Sequence, residues 1–207
     1  MIYAENILIC IVVPLIVALA FTKDKTKRFI GAFVVGMLAC LFAAYIGGFW
    51  ELKAALGRED TSIFISPVVE EIVKFIPMLL YVFMFEPNDE ELILTCTGLG
   101  TGFATFENLC QLLAAGSESL PYILIRGFAV GIMHIVSVLT MTFAFIMLRR
   151  KSALSVAVIM GGLSLSTSVH SLYNLLVSAP GLSSYIGYVL PLTMAVILYF
   201  IRKRIAR

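Results

Sequence analysis

Seven long apolar runs separated by short polar stretches dominate the chain, at about residues 3–21, 29–50, 62–85, 92–115, 122–148, 153–178 and 185–201. Most approach the ~20 residues a helix needs to cross a bilayer. In hydrocarbon only helices and closed barrels satisfy their own backbone groups. The pattern therefore predicts an all-α transmembrane bundle of about seven spans, forming one integral membrane domain over residues 1–207. The separators are KDKTKR, ELKAALGRED, EPNDEE, GSESLP, RRK, APGLSS and a terminal RKRIAR. None is long enough to be a soluble domain, and no internal repeat is evident.

Composition agrees: 60% of residues are hydrophobic and 14% charged, with a mean hydropathy of +1.00, outside the range of water-soluble globular chains. A formal charge of only +2, with no long basic tract, excludes a nucleic-acid footprint. The basic residues instead read as topology signals. The separators after the first, fifth and seventh runs hold eleven Lys and Arg, against Lys53 and Arg58 on the opposite side. This asymmetry predicts an external N-terminus and a cytoplasmic C-terminus. EPNDEE is the exception, a predicted cytoplasmic loop with no basic residue. The opening MIYAEN lacks a basic stretch, so the first run is expected to be a retained helix rather than a cleaved signal. Cys10, Cys40, Cys96 and Cys110 fall in apolar runs without CxxC spacing and are read as packing residues.

Polar residues inside the spans carry the candidate chemistry. SPVVEEIVKFIPMLL places Glu70, Glu71 and Lys74 in one helix, with Lys74 at i+4 and i+3 from the two carboxylates. One glutamate can then neutralise the ammonium while the other stays available. Pro67 and Pro77 bracket the motif, and a kink is expected at Pro77. Glu107 and Asn108 lie in the fourth run, Arg126 and His134 in the fifth, His170 and Asn174 in the sixth. With the predicted orientation, Glu70, Glu107 and His170 sit about 12 Å below the outer end of their spans, at ~1.5 Å per residue. Since charges in hydrocarbon cost at least ~2.5 kcal/mol each, their common depth predicts one wet cavity. Structural alternatives are a Glu71–Lys74 packing pair, a His170–Asn174 interhelical clamp and an Arg126 that snorkels outward. Gly98 with Gly102 and Gly127 with Gly131 form GxxxG spacings expected to bring the fourth and fifth spans together.

Glutamates, histidines and an asparagine at one depth suit activation of water and stabilisation of an oxyanion, the tasks of peptide hydrolysis. Asp24, Asp60 and Asp89 lie in separators, and HExxH and GxSxG are absent, which argues against aspartyl, zincin and serine schemes. Two imidazoles and a carboxylate, from Glu70, Glu107, His134 and His170, would also make a zinc set. Lys74 would repel a cation, so a metal-free site is expected, with zinc the alternative. A proton- or ion-coupled carrier also uses buried Glu, Lys and His, although no inverted repeat is evident.

The EExxK of Glu70, Glu71 and Lys74, the FxxxEN of Phe103, Glu107 and Asn108, His134, and the HxxxN of His170 and Asn174 together resemble the PrsW-type membrane proteases, within the CAAX prenyl protease and bacteriocin-processing group. The motif core covers about residues 62–178. The resemblance implies Glu70 as the base on water, Glu71 and Lys74 as its supporting pair, and His170 with Asn174 as oxyanion donors. CAAX proteases usually carry histidine where Glu107 stands, and His134 would supply the missing imidazole. The implied substrate is a single-span membrane protein such as an anti-sigma factor, cut in a prokaryotic plasma membrane during envelope stress. A prenylated protein is the alternative substrate.

Overall fold

The computed structural model describes residues 4–54, 57–115, 120–149 and 156–205. Seven long helices occupy the predicted runs: α1 Ala4–Phe21, α2 Asp24–Ala54, α3 Ser66–Phe85, α4 Asp89–Ala115, α5 Leu120–Arg149, α6 Val156–Ser178 and α7 Leu182–Ile205. No strand occurs among the described residues. Four of the helices, α1, α2, α5 and α7, are long and apolar enough over a continuous window to cross a membrane. The other three carry the site residues apart from His134, which is on α5: Glu70, Glu71 and Lys74 interrupt α3, Glu107 and Asn108 with several threonines and glycines dilute α4, and His170 and Asn174 sit in α6. Glu71, Lys74 and His170 are buried within the bundle, where partners on neighbouring helices can satisfy them.

The bundle is apolar on both its inside and its outside. Met37, Val73, Phe103 and Phe106 join α2, α3 and α4 in one buried cluster. Met78, Leu92, Cys96, Met141 and Ile146 join α3, α4, α5 in a second. Outer faces expose Ile9, Val13, Phe42, Phe83, Phe128 and Val189, as a lipid-facing surface requires. Helix α1 packs on α2 and buries only Leu8. Helix α3 is central, touching α2, α4, α5 and α6.

The helices that the glycines bring together differ from the sequence reading. The GxxxG pair Gly98 and Gly102 seats α4 on α2: a Cβ at Gly102 would collide with the carbonyl of Phe33. Gly127 of the second pair has open space beside it. The glycine that brings α4 to α5 is Gly100, where a Cβ would fall 2.9 Å from Ile135 Cα and 3.0 Å from the His134 carbonyl. Helix α3 continues unbroken through Pro77. The four cysteines are free thiols.

The EPNDEE turn finds its cations in space. Lys25 lies 3.6 Å from Glu90, Arg28 pairs with Glu91, and Arg149 lies 4.0 Å from Asp89 while donating to the Pro87 carbonyl at 2.6 Å. The α1–α2 turn, the α3–α4 turn and the end of α5 therefore share one end of the bundle. Asn88 and Glu91 bond each other's backbone N–H at 2.9 and 3.3 Å, a capping box that starts α4.

Candidate active site

Ahead of α3 the chain forms a short helical turn, Arg58–Asp60, and then a π-helical segment, Thr61–Ile65. Its wide turn sends the Ser66 N–H to the Thr61 carbonyl. In that pattern the Ser62 carbonyl would next accept from residue 67, which is proline and has no N–H. The side chain of Asn174 on α6 supplies the donor instead, with Nδ2 2.9 Å from Ser62 O. Pro67 thus creates an orphan carbonyl, and Asn174 satisfies it while tying α6 to the entrance of α3. One amide proton of Asn174 remains for other partners.

The two glutamates of α3 separate by environment. Glu71 and Lys74 are both 0% exposed, with Nζ 2.5 Å from Oε1. The ammonium also donates to Ser137 Oγ at 3.2 Å and lies 3.1 Å from His134 Nδ1. On the carboxylate, His170 Nδ1 approaches Oε1 at 2.7 Å and Ser166 Oγ approaches Oε2 at 2.8 Å. Every proton of Lys74 and both oxygens of Glu71 are used, which is what a buried ion pair requires to offset its desolvation. Phe103 closes the site from α4: Lys74 Nζ is 4.6 Å from its ring centre, and the His134 ring stacks beside it at 4.9 Å. One helical turn further along α4, Glu107 pairs with His134 Nε2.

These partners assign the two imidazole tautomers. An ammonium only donates, so His134 Nδ1 accepts from Lys74 and its proton sits on Nε2, facing Glu107. A carboxylate only accepts, so His170 Nδ1 carries the proton given to Glu71, leaving the Nε2 lone pair pointing away. That lone pair lies 3.8 Å from Oε2 of Glu70, an oxygen that is buried with no hydrogen-bond partner among the described residues. The two rings stand edge to face with centres 5.1 Å apart.

Glu70, Glu107, His134, His170 and Asn174 line a cavity of about 810 Å³, walled on the α2 side by small residues such as Ala43 and Gly47. Glu71 and Lys74 do not reach it. The structure thereby places five of the six expected site residues on one cavity and Glu71 behind it. Asn108 does not join them: it faces a separate groove of about 270 Å³ between α4 and α5, beside Gly127 and Gly131. Arg126 lies on α5, and its side chain is outside the described residues.

Sequence reasoning missed Ser137 and Ser166. Each sits about one helical turn from a histidine, Ser137 at i+3 from His134 and Ser166 at i−4 from His170, and that spacing is the signal that identifies them.

Glu70, His134 and His170 each offer a ligand atom within 4.8 Å of the others. Two imidazoles and a carboxylate are a normal catalytic zinc set, and His170 is oriented through Nδ1 by a carboxylate, as metal-bound histidines usually are. The partnerless Glu70 oxygen points the same way. His134 enters such a set only with a proton shift along the Lys74–His134–Glu107 line. With that shift the donors fit a divalent ion.

A family model described as PrsW family intramembrane metalloprotease matches residues 25–201. No curated protein and no solved structure matches the chain.

Proposed function

Because the chain belongs to the PrsW family of intramembrane metalloproteases, and because Glu70 is the only one of α3's three central charges that opens onto the cavity, we propose that it hydrolyses a peptide bond of a single-span membrane protein with Glu70 acting on the attacking water. The observation that carries this reading is the pair of acceptors formed by Glu70 Oε2 and His170 Nε2, 3.8 Å apart. That spacing lets one water donate to both. His170 fixes the water, and Glu70 takes its proton as the oxygen attacks the scissile carbonyl. The remaining amide proton of Asn174, on the same cavity, is the donor assigned to the developing oxyanion. Glu71 and Lys74 touch no substrate; they hold His170 and His134 in opposite tautomers. A zinc ion, held by Glu70, His134 and His170, would when bound supply Lewis-acid polarisation of the carbonyl and acidify the water.

The substrate is assigned as an anti-sigma-factor-like span in a prokaryotic plasma membrane, cut toward its extracytoplasmic side. The common depth of Glu70, Glu107 and His170 and the excess of Lys and Arg at the opposite end of the spans support that side. The test is cleavage of a reporter span in proteoliposomes. Glu70→Gln is expected to lower turnover by about 10²-fold or more with the protein still folded. Unchanged cleavage by Glu70→Gln rejects the assignment, and ion flux without cleavage rejects the protease reading. Zinc assayed in the purified protein, with activity lost to a chelator and restored by zinc alone, decides whether the metal takes part.

A further inference from the structure

Cleavage inside a bilayer has a backbone problem. A spanning substrate is helical because hydrocarbon leaves no other partner for its N–H and C=O groups. The scissile bond becomes accessible only when that helix opens locally, and the groups it frees then need hydrogen-bond partners inside the protease. Three hydroxyl residues at the entrance of α3, Thr61 and Ser62 of the π-helical segment and Ser66 at the first position of the helix, line the same cavity as Glu70. Thr61 is 4% exposed, and its Oγ1 is buried with no hydrogen-bond partner among the described residues. A buried hydroxyl left without a partner costs on the order of 1–3 kcal/mol, so one lining a cavity calls for a ligand. The π-helical turn, pinned by Asn174 at the Ser62 carbonyl, holds this hydroxyl edge in place along the wall that leads to Glu70.

We propose that the Thr61–Ser66 edge is the subsite for the unwound backbone of the substrate, with the Thr61 hydroxyl bonding a peptide group within a few residues of the scissile bond. The ligand it takes is an extended peptide segment, recognised through main-chain groups rather than through a particular side chain. This rests on the protease reading above. It also predicts a preference for spans whose helix is weakened near the cut by glycine or by a β-branched residue, because opening those costs less.

The test uses the full-length chain in nanodiscs and a series of short peptides spanning the reporter's cleavage site, each with one amide replaced by an ester. Binding is read by fluorescence anisotropy in the Glu70→Gln background, so the subsite is scored independently of turnover. At one position the ester is expected to weaken binding about tenfold when Thr61 is present, one lost hydrogen bond, and to make no difference in Thr61→Val. Because Thr61 Oγ1 has no internal partner, Thr61→Val should keep or raise the melting temperature, which a structural role for the hydroxyl would not allow. Equal ester costs in both proteins at every position, or binding unaffected by Thr61→Val, would overturn the subsite. Cleavage by the wild-type chain is measured in parallel: normal binding with no cleavage rejects the protease reading and leaves the subsite standing.

Discussion

Two clusters of acids and bases, one at an end of the bundle and one in its interior, use the same chemistry under opposite conditions. At the end, Lys25 and Glu90 are 74% and 77% exposed and 3.6 Å apart. In the interior, Lys74 and Glu71 are both 0% exposed and 2.5 Å apart. Water and salt screen the first kind of pair, and such pairs contribute little to stability. The second has no water to fall back on, so each lost partner strands a charge. The outer cluster records which turns share an end of the bundle. The inner cluster fixes the atoms that face the cavity.

The largest effect that tests this contrast is Glu71→Ala. It leaves Lys74 buried without its carboxylate and also removes the acceptor of His170, so folding stability should fall by ~3–5 kcal/mol, as in comparable buried pairs. Glu70→Ala removes a carboxylate whose Oε2 has no hydrogen-bond partner among the described residues and should leave the yield of folded protein nearly intact. Adding Lys74→Met to Glu71→Ala should recover part of the loss. Thermal unfolding in detergent measures all three, and equal losses for the two single alanine variants would end the division between the glutamates.

A smaller effect separates the glycines that sequence spacing treated alike. At Gly102 a Cβ meets the Phe33 carbonyl of α2, whereas at Gly127 it meets nothing within 4 Å. Gly102→Ala should therefore destabilise by ~1–3 kcal/mol through overpacking, while Gly127→Ala should be neutral or slightly stabilising because alanine is the better helix former. Comparable melting temperatures for the two variants would show that α2 and α4 do not approach as described.

These residues also show what the sequence could convey. Seven apolar runs became seven helices because length and hydropathy act locally. Which residues are polar at membrane depth was equally legible, since the cost of placing Glu70, Glu107 or His170 in lipid needs no partner to be known. Which face meets which neighbour was not legible. Gly98 and Gly102 pack on α2 rather than α5, Asn108 turns to a different groove from Glu107 although adjacent in sequence, and Asn174 bonds the carbonyl of Ser62, 112 residues away and orphaned by Pro67. Periodicity sets the angular position of a side chain on its own helix and is silent about the helix opposite. Ser137 and Ser166 passed unnoticed because serine in a membrane span has many uses; their one-turn spacing from His134 and His170 is a weak signal that the contacts with Lys74 and Glu71 make specific.

The smallest expected effect lies in the outer cluster, and its dependence on conditions gives the cleanest contrast with Glu71. The hydrogen bond from Arg28 is the main influence holding the Glu91 carboxyl below its ordinary pKa, aided by the Asn88 backbone N–H and offset in part by desolvation. A carboxyl depressed in the folded state stabilises the fold above its unfolded pKa of about 4.3, and that contribution disappears as pH falls through the folded value. Glu91→Gln keeps an acceptor for the Asn88 N–H and removes only the charge. It should lower the melting temperature slightly at neutral pH and low salt, with the difference closing in about 1 M salt, where the screening length is ~3 Å, and again as the pH drops below about 4.3. The Glu71→Ala deficit should persist at high salt, because screening ions do not enter a site that excludes water. A Glu91→Gln deficit that survived high salt would place the Arg28–Glu91 pair with the buried cluster and erase the distinction between the two regions.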